Sequence, residues 1–112
     1  MQRVLDVVSS VWGLAYNPHK DILAAACEDG NVRIVLFDDS AFVSPVFLAE
    51  TISVNSKQKR ILSVAYSHDG NELYAGDAVS AIKRYSVNRS SPSSATCAHT
   101  FVSSINVGKK SL

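Results

Sequence analysis

The sequence predicts an all-β protein built from two four-stranded antiparallel blades, because one pattern of short strands occurs twice. In residues 61–85, ILSVAYSHDGNELYAGDAVSAIKRY, turn-forming residues separate three short runs in which apolar and polar residues alternate. The same pattern stands fifty residues earlier in 11–35, VWGLAYNPHKDILAAACEDGNVRIV, and a fourth apolar run follows each copy. Four short strands that repeat with a period of about 40–50 residues are typical of β-propeller blades.

The first blade is predicted over residues 11–54, after a leading strand or the end of a preceding blade in 1–10. Its four strands are expected at 11–16, 22–27, 32–37 and 46–54. Asp29 and Gly30 give the clearest hairpin turn of the chain, because a two-residue turn needs a positive φ and Asp can cap the loop amides. We therefore interpret these two residues as structural.

The second blade is predicted over 61–107, after a basic connector, NSKQKR, in 55–60 and before a frayed tail in 108–112. Its strands are expected at 61–67, 72–77, 81–87 and 96–107. Asp69 and Gly70 form its first turn. Propellers have about four to eight blades, and each blade covers a face of the next, so two blades leave apolar faces uncovered. We therefore expect the chain to be a piece of a larger ring or one part of an assembly that completes it.

Composition and charge limit the classes of protein to which this chain can belong. With 46% hydrophobic and 19% charged residues, the chain has enough apolar side chains to build a core. Its apolar runs are too short for a membrane span, and we find no signal peptide. Cys27 and Cys97 are then expected to be reduced structural thiols, as in a cytosolic or nuclear protein. Residues 1–56 carry three basic and seven acidic side chains, whereas 57–112 carry eight basic and three acidic. The second half can therefore favour an anionic partner.

No group of residues in the sequence predicts catalysis or a cofactor. His19 and His68 lie in turns and His99 in the C-terminal tail, and although His99 is near Cys97, no further ligands flank them. We therefore expect no enzyme activity, no metal site, no cofactor, no small-molecule substrate and no membrane partner. Trp12, at the start of an inner strand, is expected to pack rather than to stack on a ligand.

Two stretches, GLAYNP in 13–18 and CEDGNVR in 27–33, and their counterparts in the second copy resemble the WD-repeat family. The resemblance spans residues 11–87 and implies propeller blades that bind other proteins. The chain departs from the family pattern, because it lacks the Gly-His pair before each copy and the Trp-Asp dipeptide after the third strand, and because Val79 replaces the turn Asp of the second copy. The family's network of Asp, His, Ser and Trp side chains is therefore not expected to form intact. The second blade is expected to depend on packing against the first more than on an internal polar network.

A closer similarity covers ACEDGNVRI and, after the fourth strand, KQKRILSVAYSHDGNELYAGDA. These stretches are similar to consecutive repeats in a WD-repeat subunit of the small-subunit processome, the assembly that matures pre-ribosomal RNA. The similarity implies a non-enzymatic scaffold in ribosome biogenesis and rRNA processing, located in the nucleolus and nucleus, with other protein subunits as partners and pre-ribosomal RNA nearby. The alternative is a WD-repeat adaptor or substrate receptor that binds peptides in signalling or ubiquitin ligation, in the cytoplasm.

A partner-binding surface is predicted at the connector. In a WD-repeat propeller, the connector between blades and the turn between the second and third strands emerge on one rim. The connector cations Lys57, Lys59 and Arg60 should then share one face with two turns. These are the turn of the first blade with Glu28, Asp29 and Asn31, and the turn of the second with Val79 and Ser80. A protein or an RNA phosphate can bind such cations, and binding then depends on salt. The alternative is a solvated connector without a partner.

Overall fold

Two four-stranded antiparallel sheets make up the computed structural model, which describes residues 9–37, 46–79, 81–89 and 97–106. The strands of the first sheet are, in spatial order, β1 (Val11–Asn17), β2 (Ile22–Cys27), β3 (Asn31–Phe37) and β4 (Val46–Ser53). Those of the second are β5 (Ile61–Tyr66), β6 (Glu72–Asp77), β7 (Ala81–Asn88) and β8 (Ala98–Asn106). The predicted all-β class with two four-stranded blades is therefore confirmed. The predicted tail in 108–112 and nearly all of the predicted leading segment in 1–10 lie outside the described residues. Within the described residues there is no helix with the length and apolar character of a membrane span.

The two sheets share their irregularities as well as their strands. The β1–β2 pairing shifts its register at Trp12, and the β5–β6 pairing shifts at Leu62, fifty residues later. The β3–β4 and β7–β8 pairings shift directly after Ile34 and Arg84, again fifty residues apart. A β-bulge bends its strand and increases the local twist. Both sheets are therefore bent at equivalent places.

A single apolar core is shared by both sheets and takes side chains from every strand between β2 and β7. Strands rich in Ile, Val and Ala supply such a face, because alternate residues of a strand point to the same side. The largest fully buried apolar side chains are Ile22, Ile34, Leu36, Ile61 and Leu73. Each buried Ile or Leu contributes about 1.5–3 kcal/mol relative to an exposed one. The two sheets therefore stabilise each other.

The inner strands β1 and β5 lie side by side, and a buried asparagine joins them. Asn17 is fully buried, and its Nδ2 donates a hydrogen bond of 2.9 Å to the carbonyl oxygen of Gly70 in the β5–β6 turn. Its Oδ1 accepts hydrogen bonds from the amides of His19 and Lys20, at 3.1 and 3.2 Å. Gly70 has a φ of +75°, and a Cβ there would lie 2.6 Å from Asn17 Oδ1. The turn predicted at Asp69 and Gly70 therefore requires glycine.

The second blade also holds the β1–β2 turn of the first. His19 Nε2 donates to the carbonyl oxygen of His68 over 2.9 Å. Arg89, which follows β7 and is only 7% exposed, donates from Nη1 to the carbonyl oxygens of Lys20 (2.5 Å) and Asp21 (3.2 Å). Together with the buried asparagine, these side chains satisfy backbone groups of one blade with donors from the other.

A chain of polar side chains joins the outer strands of the two blades. His99 Nδ1 on β8 lies 3.0 Å from Glu50 Oε1 on β4, and its Nε2 lies 3.1 Å from the Tyr66 hydroxyl. Burial lowers the pKa of His99, against the opposing effect of Glu50, and raises that of Tyr66 above its usual range. Burial and the Glu50 carboxylate raise the pKa of Cys97 to about 11. The expectation that no further ligand-type side chain lies near His99 and Cys97 is therefore wrong, because the Glu50 side chain of β4 reaches the start of β8.

Large apolar side chains remain exposed on β1 and β8. They are Val11, Trp12, Leu14 and Tyr16 on β1 and Phe101, Val102 and Ile105 on β8. Trp12, which is expected to pack rather than to stack on a ligand, is 51% exposed, and its contacts within the protein are with Glu28 and Arg60. Gly13 and Ala15, which alternate with the exposed residues of β1, are half-buried, and a Cβ on Gly13 would lie 3.1 Å from the carbonyl oxygen of Leu62 in the second sheet. Trp12 therefore points away from the shared core.

The Asn17→Ala variant should lower the free energy of unfolding by about 1–3 kcal/mol, because it leaves buried backbone groups without their hydrogen-bond partners. Urea unfolding followed by circular dichroism measures the change. Asn88→Ala, an exposed position at the end of β7, is the matched control and should unfold as the wild type does. Equal stability of Asn17→Ala and the wild type would contradict the importance assigned to this contact.

Candidate functional site

The connector is held in one conformation by the β2–β3 turn of the first blade. The Gly30 carbonyl oxygen accepts hydrogen bonds from the amides of Val54 (3.1 Å) and Asn55 (3.0 Å). Asn55 accepts from the amides of Lys57 and Gln58, through its side chain and its carbonyl oxygen, both at 2.9 Å. Gly30 has a φ of +87°, and a Cβ there would lie 2.8 Å from the Asn55 carbonyl oxygen. The connector is therefore a fixed support for its side chains.

An ion pair stabilises this turn. Arg33 on β3 places Nη1 3.1 Å and Nη2 2.8 Å from the two carboxylate oxygens of Asp29, a bidentate arrangement. The bond from Arg33 holds the pKa of Asp29 below its usual range. Asn31 donates to the same carboxylate from its amide (3.3 Å) and from its side chain (3.4 Å). The structure thus engages Asn31, predicted to bind a partner, in the turn that Asp29 organises.

The β6–β7 turn of the second blade has a carboxylate of its own. Asp77 Oδ1 accepts hydrogen bonds from the amides of Val79 (2.9 Å) and Ala81 (3.1 Å). Its Oδ2 accepts from Asn55 Nδ2 over 3.0 Å, which ties the connector to the second blade. Val79 stands where the family pattern has the turn Asp, and the carboxylate of Asp77, two residues earlier, caps the turn amides instead.

Arg60 contacts the first blade. Its Nε lies 3.4 Å from Glu28 Oε2, and its guanidinium carbon lies 5.2 Å from the centre of the Trp12 ring. Trp12 Nε1–H donates to Glu28 Oε1 over 2.5 Å. The Arg60 and Glu28 side chains remain 47% and 43% exposed, so their ion pair contributes at most about 1 kcal/mol. Sequence reasoning missed Trp12 here, because its contact with Glu28 spans 16 residues and carries no local signal.

A cleft of about 440 Å³ opens between the connector and the end of the second sheet. Its lining includes three lysines, Lys57, Lys59 and Lys83, and one acid, Asp77. Lys57 and Lys59 are exposed, and neither forms a salt bridge within the part of the chain that the structure describes. Lys83 Nζ donates to the carbonyl oxygen of Val54. The cleft therefore carries a net positive charge.

The rim formed by the connector and this cleft offers a partner charge and hydrogen-bond donors. Lys57 and Lys59 stand on a connector whose backbone bonds to Gly30 of the first blade and whose Asn55 side chain bonds to Asp77 of the second. Ammonium groups bind carboxylate and phosphate oxygens, and attraction from exposed lysines weakens as the salt concentration rises. The arrangement is therefore suited to recognition of an anionic surface.

Comparisons with known proteins agree with this architecture. Residues 3–35 match the family model described as "WD domain, G-beta repeat", and no curated protein sequence matches the chain. Among solved structures, Sqt1 of Saccharomyces cerevisiae, a WD-repeat protein, matches with a TM-score of 0.67 and 13% identity. The match covers 88% of this chain and 23% of that chain. At this identity the likeness shows the fold, that of WD-repeat propeller blades. WD40 repeats imply a protein-interaction scaffold, and such domains are typically non-enzymatic.

The Arg60→Ala variant should make Trp12, the one tryptophan of the chain, more accessible to quenching by acrylamide, because the guanidinium no longer covers the ring. Stability should fall by no more than about 1–2 kcal/mol, the sum of an exposed ion pair and an exposed cation–π contact. Fluorescence quenching and urea unfolding measure both. Lys59→Ala, on the same connector, should quench like the wild type. Unchanged quenching in Arg60→Ala would contradict the stacking.

Proposed function

We propose that this chain is a non-enzymatic scaffold that binds protein partners at its connector rim in small-subunit ribosome biogenesis, as a cirhin-like subunit. Cirhin is the WD-repeat subunit of the small-subunit processome to which the stretches CEDG in 27–30 and QKRILS in 58–63 are similar. The WD40 match supports the scaffold part of the proposal. Its finer part, rRNA processing in the nucleolus, rests on the similarity to cirhin.

The observation that carries the proposal is the placement of Lys57 and Lys59. Both project from a fixed connector and are exposed, whereas Arg60 contacts Glu28 and Lys83 bonds to a backbone carbonyl. Arg60 and Lys83 thus make contacts within the protein, whereas Lys57 and Lys59 present their charges to solvent. An acidic segment of a partner protein fits this surface, because its carboxylates can reach both ammonium groups. The phosphates of pre-ribosomal RNA are the competing anions for the same groups.

The double variant Lys57→Glu with Lys59→Glu should weaken partner binding about tenfold or more, equivalent to about 1.4 kcal/mol, because it places like charges against an anionic partner. A tagged form of the variant protein, expressed in cells, should then lose nucleolar enrichment and co-sedimentation with pre-ribosomal particles. Stability should not change, since both residues are exposed. Sucrose-gradient sedimentation and fluorescence microscopy measure the loss.

Two controls separate charge from position. The double variant Lys57→Arg with Lys59→Arg keeps both positive charges and should sediment as the wild type does. Lys20→Glu is the second control, because it reverses a charge in the β1–β2 turn, outside the connector. Particle binding that survives the double charge reversal would show that the connector is a solvated linker.

Binding lost after ribonuclease treatment would assign the anion to RNA. Recovery of ubiquitin-ligase or kinase components without nucleolar proteins would favour the adaptor alternative.

A further inference from the structure

Three side chains with metal-binding atoms meet between the outer strands of the two blades. A carboxylate oxygen of Glu50 on β4, Sγ of Cys97 and Nδ1 of His99 on β8 all lie within 4.8 Å of one another. His99 Nδ1 is 3.0 Å from Glu50 Oε1 and 3.9 Å from Cys97 Sγ. Cys97 directly precedes β8 and His99 is the second residue of that strand, so the two side chains reach the same place.

We propose that Glu50, Cys97 and His99 bind one zinc ion, which fastens β4 of the first blade to β8 of the second. Thiolate, imidazole and carboxylate are the kinds of ligand that proteins offer to Zn²⁺. The sulfur disfavours Mg²⁺ and Ca²⁺, which take oxygen ligands. Three protein ligands leave one position of a tetrahedral site for water. The proposal is independent of the function assigned to the connector, which contains none of these residues.

The distances suit the ion with small side-chain movements. Zinc bonds of about 2.0–2.1 Å to nitrogen and oxygen and about 2.3 Å to sulfur, at tetrahedral angles, put neighbouring ligand atoms roughly 3.3–3.6 Å apart. His99 Nδ1 lies 3.0 Å from the Glu50 oxygen and 3.9 Å from Cys97 Sγ, on either side of that range, and the carboxylate oxygen and the sulfur lie within 4.8 Å of each other. His99 is the fixed member, because its side chain is fully buried, whereas the Glu50 side chain is 24% exposed and has room to adjust.

Neighbouring groups already orient two of the three ligands. The amide of His99 donates to Glu50 Oε2 over 3.2 Å, which leaves Oε1 for the ion. His99 Nε2 lies 3.1 Å from the Tyr66 hydroxyl, so it can donate its proton there when Nδ1 binds the metal. Hydrogen bonds of this kind fix the tautomer and the ring orientation of histidine ligands in zinc sites.

Charge balance favours a divalent cation in this partly buried place. On binding, the Cys97 thiol releases its proton to solvent, and the proton on Nδ1 of neutral His99 moves to Nε2. One Zn²⁺ with one thiolate and one carboxylate is then neutral. A neutral cluster avoids the cost of burying an unpaired charge.

Zinc binding can be measured on the 112-residue chain by titration of Zn²⁺ against a chromophoric chelator, with Co²⁺ as a spectroscopic probe of the thiolate. We expect one ion per chain and a thiolate-to-cobalt absorption band that Cys97→Ser and His99→Gln both abolish. Because these variants also remove contacts between the blades, Tyr66→Phe provides a second test. It keeps all three ligands and should weaken zinc affinity about 10–100-fold by removing the partner of Nε2.

Cys27→Ala, which removes the other cysteine from β2, is the matched control and should keep the cobalt band. Zinc should also raise the urea midpoint of the wild type and not that of Cys97→Ser, because a ligand that binds the folded state stabilises it. Absence of the band in the wild type, or equal zinc affinity in the wild type and Cys97→Ser, would overturn the proposal. A band lost in Cys27→Ala and retained in Cys97→Ser would overturn it equally.

Discussion

The apolar core that the two sheets share is the constraint from which the remaining geometry follows. Ile22 and Leu36 of the first sheet and Ile61 and Leu73 of the second are fully buried in one cluster. Each such side chain contributes about 1.5–3 kcal/mol, which is more than an exposed ion pair at the rim supplies. Packing therefore decides how the blades sit against each other, and the polar contacts between them adjust to that packing.

The polar contacts between the blades lie in three places: at the inner strands, at the connector and at the outer strands. Asn17 acts at the inner strands, Asn55 at the connector and His99 at the outer strands, and each bonds to a residue of the other blade. A rotation of one blade would strain all three at once. The exposed lysines of the connector consequently depend on the buried core for their position, although they take no part in it. A surface for a partner is in this way built from the contact between blades.

Local signals account for what the sequence predicted, and long-range contacts account for what it did not. Alternation within short runs and glycines at turns predicted the eight strands and the turns at Gly30 and Gly70. The contact of Trp12 with Arg60 of the connector and the polar cluster around His99 depend on strand register and on packing between blades, so no spacing in the sequence marks them. Asp77 is an intermediate case, since a carboxylate just before the turn could have been recognised as a cap for it.

Native-state hydrogen exchange in increasing urea tests the shared core most directly. If the two sheets form one cooperative unit, amides in β2 and β3 and amides in β6 and β7 should exchange through one global opening, with the same free energy and the same dependence on urea. Exchange of the β6 and β7 amides through an opening of lower free energy, while β2 and β3 stay protected, would show two independent sheets and contradict the shared core.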